Sequence, residues 1–117
     1  MTTGRHPGAA HTGSPVRVTW RLARSFTQRL RGLLNSPPPP AGTALLIARC
    51  KAVHTIGMRY PIDVIFVSRS GRVLRVYPHV MPQRARMCCR AWGVAELAAG
   101  EAKRLGIVKH VRLVLPG

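Results

Sequence analysis

Apolar and polar residues alternate over positions 16–20 (VRVTW), the period of a half-buried strand, which predicts a first β-strand there. The period then changes. Ser25 and Gln28 have capping-box spacing, and Phe26, Leu30, Leu33 and Leu34 follow at helical intervals, so a short helix is expected before Pro37. Pro37 to Pro40 reads as an extended polyproline connector. Residues 43–49 form a buried strand pattern. Residues 62–67 (IDVIFV) are apolar on both faces apart from Asp63, which places that strand in the middle of a sheet. Ser68-Arg69-Ser70-Gly71 is a turn returning into a strand over 72–77, a hairpin. Pro78 and Pro82 bound an irregular stretch, and residues 92–97 read as a short strand. Residues 98–105 carry Ala98, Ala102 and Leu105 on one helical face with Gly106 as the stop, and 111–115 close the chain as a last strand. Short strands with one or two short helices predict a mainly β fold, a small compact β-barrel or β-sandwich. Residues 1–14 are expected to be a disordered tail, and 15–117 a single domain.

Composition narrows the classes. The chain has 117 residues and is 46% hydrophobic, enough for one core. No apolar run approaches the ~18 residues that span a bilayer. The N-terminus has no apolar signal region, so a cytoplasmic protein is expected. Three cysteines (Cys50, Cys88 and Cys89), without a CxxC, indicate neither a disulfide framework nor a zinc ribbon.

Charge changes the picture most. Nineteen Lys and Arg face three Asp and Glu, a formal +16. Such a surface attracts polyanions, with nucleic acid the first to consider. The cations are scattered rather than blocked and aromatic residues are few, so non-specific attraction is the expectation. A protein or peptide partner stands beside it; oligomeric state is not legible.

The chemistry concentrates in residues 50–67, CKAVHTIGMRYPIDVIFV. Cys50 and His54 are four apart. A helix would bring them within reach of one metal ion, but an extended chain separates them by ~13 Å. Val53, Thr55 and Ile56 favour extended backbone, so no metal and no cofactor are expected. Asp63, on an apolar strand face, must be hydrogen-bonded or paired. Two compatible roles are open: accepting backbone N–H groups of the His54–Met58 turn, or orienting His54 at a pocket mouth. Glu96, sharing its face with Val94, poses the same question. Glu101 is explained by the helix dipole or by Arg104.

Cys50, His54-Thr55, Gly57-Met58, Pro61-Ile62-Asp63-Val64, Phe66, Gly71, Pro82, Glu96-Leu97 and Ala99-Gly100 together resemble domain-of-unknown-function family 192, as does the RLRGLL stretch from Arg29. The resemblance runs from about Val16 to Leu115 and implies a compact, mostly β fold without supplying an activity. It also implies an association of some members with secretion or pilus systems. The family's recurrent polar positions fall on His54, Thr55, Asp63 and Glu96. The sequence thus predicts a binding or accessory module with a polar pocket around His54, Asp63 and Glu96, edged by Cys50, Thr55 and Met58. An enzyme using His54 as acid/base oriented by Asp63 is one alternative. Nucleic-acid binding through the Arg-rich surface is the other.

Overall fold

A computed structural model describes residues 14–23 and 37–117. The helix expected over 25–34 and all of the expected tail except Ser14 lie outside the described residues. Seven strands and one helix follow in order: β1 (Thr19–Ala23), β2 (Thr43–Ala48), β3 (Ala52–His54), β4 (Ile62–Val67), β5 (Val73–Val80), β6 (Ala85–Met87), β7 (Gly93–Ala98) and α1 (Glu101–Leu105).

Five strands make the main sheet in the order β1-β2-β7-β4-β5, and β3 pairs with β6 in a small second sheet. β1 runs parallel to β2, and the other pairs are antiparallel. β1 and β5 remain as opposite edges, so the sheet is not closed into a barrel and a sandwich-like architecture describes it. Residue alternation splits the core into two faces. Ile47, Val64, Phe66 and Val94 face one way, under Val53 and Met58 from the β3 region. Ala44, Ile65, Val67, Ala95 and Leu97 face the other way, under Ala102 of α1 and Ile107 and Leu113 beyond it. β4, buried at every position, lies between β7 and β5, as its two apolar faces predict. Removing a side chain the size of Phe66 from such a core costs about 3–5 kcal/mol.

The turn after β4 fixes the hairpin. Gly71 donates to Ser68 O (2.9 Å) and has φ +91°, and a Cβ there would lie 2.1 Å from Leu113 O, so the turn admits only glycine. Four segments depart from expectation, the first being the helix expected over 98–105, which begins only at Glu101 because Ala98 still belongs to β7. The first strand lies at 19–23, because Val16 is drawn into a bridge with Leu113 and bonds to Arg112 and Val114. Residues 111–115 are not a sheet strand: they make two isolated bridges, to Val16 and Arg72. The stretch expected to be irregular after Pro78 continues β5 to Val80, through a bulge at His79 (φ +50°). Among the described residues no helix is long and apolar enough to cross a membrane.

Candidate functional site

Thr55 follows β3 and ties it to the connection from β5 to β6. Its Oγ1 donates to Met81 O (2.7 Å) and accepts from Arg84 N (2.9 Å), and its backbone N–H donates to Arg84 O (2.8 Å). The residue is 1% exposed with its polar groups satisfied, so it acts as a latch. His54, half-buried at the end of β3, accepts from Ile56 N at Nδ1 (3.2 Å). This bond occupies the Nδ1 lone pair, which a general base acting through that nitrogen would need. The backbone from Cys50 to His54 is extended through β3, and Cys50 Sγ donates to Ala52 O (3.1 Å). Met58 is buried beneath the sheet.

Asp63 and Glu96 sit on adjacent central strands but point to opposite faces. Asp63 pairs in register with Leu97, whereas Glu96 lies between Val64 and Leu45. Asp63 Oδ1 accepts from His79 N (2.9 Å); Oδ2 accepts from Gly100 N (3.1 Å) and Ala102 N (2.8 Å). It therefore pins the β5 bulge and the start of α1. The expected donors of the His54–Met58 turn are not its partners, because the alternation of β4 turns this side chain toward α1. Glu96 is 1% exposed; its Oε2 is buried without a hydrogen bond, although the residue is held by another polar contact. The sheet thus separates Asp63 from Glu96, and the three polar residues do not share one pocket.

Glu101 holds its expected pairing and adds one. Arg104 Nε meets Oε2 at 2.5 Å and Nη2 meets Oε1 at 2.8 Å, while Gly42 N donates to Oε1 at 2.6 Å. The Arg104 guanidinium, then the Gly42 N–H, hold this carboxyl down at about 2, against partial burial that raises it.

All three acidic side chains of the chain are consequently buried: Asp63 at 0%, Glu96 at 1% and Glu101 at 8% exposure. Every described Lys and Arg is exposed except half-buried Arg86. Four of them, Arg72, Arg75, Arg90 and Lys109, line a cleft of about 510 Å³ together with Leu74, Tyr77, Met87 at the end of β6, Cys88, Cys89 and His110. No acidic residue lines it. Arg72 Nη2 donates to His110 Nδ1 (2.9 Å), and the Arg86 guanidinium lies 5.5 Å from the centre of the Tyr77 ring. Tyr77 also meets Phe66 edge-on at 6.0 Å. Sequence reasoning missed this cleft. It joins segments far apart in the chain, and only the overall charge hinted at it. Among the described residues no group of three His, Cys, Asp or Glu side chains converges as a metal site would require.

Comparison with known proteins gives a family and a fold. The family model DUF192, described as "Uncharacterized ACR", matches residues 9–115. A crystal structure of a candidate transcription regulator from Sinorhizobium meliloti superposes with a TM-score of 0.72 at 24% identity, covering 81% of this chain and 79% of that one. A protein of unknown function from Novosphingobium aromaticivorans does so with a TM-score of 0.68 at 21% identity, covering 92% and 96% respectively. At these identities the likeness establishes the fold alone. No curated protein matches the chain significantly.

Proposed function

The chain belongs to the uncharacterized DUF192 family, and from that premise we propose that it is a binding or accessory module that holds an anionic partner, not an enzyme. One observation carries this reading: every carboxylate side chain is turned inward while the described cations stay on the surface, four of them around one cleft. Uncompensated surface charge of one sign draws an oppositely charged partner and speeds its encounter. In this reading His54, Thr55, Met58 and Cys50 on one side, and Asp63 on the other, hold the frame. Glu96, between Val64 and Leu45, lies on the sheet face covered by Val53 and Met58.

The enzyme alternative has weaker support. Both Asp63 oxygens are taken by backbone N–H groups on the α1 side, and His54 Nδ1 already accepts from Ile56. A base needs a free lone pair and an orienting partner. The test is retention on a heparin column at physiological salt, comparing wild type with His54→Ala. Both are expected to be retained and to elute together as salt rises. Flow-through of the wild type would contradict the reading, as would loss of retention in a folded His54→Ala.

A further inference from the structure

We infer that the cleft on the β5 edge is a site for single-stranded nucleic acid, one that takes the backbone phosphates on its guanidinium groups and a base against Tyr77. The inference rests on the anionic-partner reading and narrows it to one ligand class and one place. Three of the four full cations lining the cleft are arginines: Arg72, Arg75 and Arg90, with Lys109 the fourth. A guanidinium presents a planar fork of donors that fits two phosphate oxygens at once, which a point-charge ammonium does not. With no carboxylate in the lining, nothing there repels a phosphate, and of these arginines Arg72 has one donor turned to another lining residue, His110.

Charge alone would serve an acidic peptide equally well; the aromatic wall does not. Tyr77 belongs to the lining, with the Arg86 guanidinium 5.5 Å from its ring centre, and Phe66 buttresses it edge-on. The Arg86 guanidinium lies over one face of the ring, and bases stack on guanidinium planes as well as on aromatic rings whatever their sequence. Met87, 67% exposed at the rim, adds an apolar, polarizable contact. The volume, about 510 Å³, lies in the range of small-ligand pockets, so it accommodates a nucleotide-sized unit of a strand. The wall is also rigid, because β5 is hydrogen-bonded to β4 and its bulge is pinned by Asp63.

The experiment is fluorescence anisotropy of a short labelled single-stranded oligonucleotide at near-physiological salt, with polyglutamate as the rival polyanion. The Arg75→Ala/Arg90→Ala double variant is expected to bind the oligonucleotide about tenfold more weakly or worse, with a salt slope shallower by about 1.4 for two lost phosphate contacts. The Arg17→Ala/Arg21→Ala control removes the same charge near the opposite edge of the sheet and is expected to lose under about threefold. Tyr77→Leu is expected to weaken the oligonucleotide by about tenfold while leaving polyglutamate unchanged. If Tyr77→Leu does not fold, the paired arginine variants decide alone. Equal losses from the cleft pair and the control pair would overturn the inference, leaving a diffusely basic surface and the broader reading intact. An unchanged oligonucleotide affinity in folded Tyr77→Leu, with polyglutamate binding as tightly, would overturn it in favour of an acidic peptide. Absence of binding to either polyanion would overturn both the inference and the anionic-partner reading.

Discussion

The α1 side of the sheet and the β5 edge treat charge in opposite ways. On the α1 side each carboxylate is matched: Asp63 takes three backbone N–H groups, and Glu101 takes Arg104 and the Gly42 N–H. At the β5 edge four cations line a cleft with no acid among them, and Arg72 has turned to a histidine nitrogen. Matched charges inside hold a fold together, since an unpartnered buried carboxylate is costly. Unmatched charges at the surface contribute little to stability and cost some through repulsion, so they remain available to a partner.

Substitutions on the two sides should therefore differ in kind. The largest effect is expected from Asp63→Ala, which strands three backbone donors and frees both the bulge and α1. We expect a loss of about 3–5 kcal/mol in urea denaturation, a large share of the stability of a domain this size. A loss under about 1 kcal/mol would mean that Asp63 is not the pin described. Thr55→Val keeps the shape but removes the latch between Met81 and Arg84, and should cost about 1–3 kcal/mol by the same assay. Glu101→Gln is smaller, about 1 kcal/mol or less at neutral pH, because its partner is at the surface.

That interaction also carries a pH signature. The Glu101 carboxyl sits at about 2 in the folded protein against an ordinary 4.5, so its stabilisation is complete above 4.5 and is lost as pH falls toward 2. The difference in stability between wild type and Glu101→Gln should shrink across that window, and a difference that stayed constant would count against the pairing. At the other end of the scale, Arg75→Ala/Arg90→Ala should leave the free energy of unfolding within about 0.5 kcal/mol of wild type. A marked destabilisation there would erase the contrast between the two regions.

Much of the frame was legible because it depends on local rules. The apolar 62–67 run reports an interior strand, the Ser68–Gly71 turn reports the hairpin, and Gly106 reports the end of α1, where it has φ +72°. The need for partners at Asp63 was legible from its apolar face, but their identity was not. Those donors come from His79, Gly100 and Ala102, which only the sheet order β7-β4-β5 brings together. The small β3–β6 sheet escaped notice because three-residue strands carry too little periodicity to read. The grouping of His54, Asp63 and Glu96 into one pocket rested on proximity in the pattern, whereas alternation along β4 and β7 sends the two acids to opposite faces. The cleft left no local trace, since Arg72, Arg90 and Lys109 meet only in the folded chain.

The cleft contains its own probe. Cys88 and Cys89 both line it, so the rate at which they react with anionic iodoacetate, relative to neutral iodoacetamide, reads the local potential directly. Peptide mapping separates them from Cys50. We expect a ratio well above that of free cysteine, falling toward it as salt screens the arginines. A ratio equal to that of free cysteine and indifferent to salt would contradict the claim that this edge gathers anions.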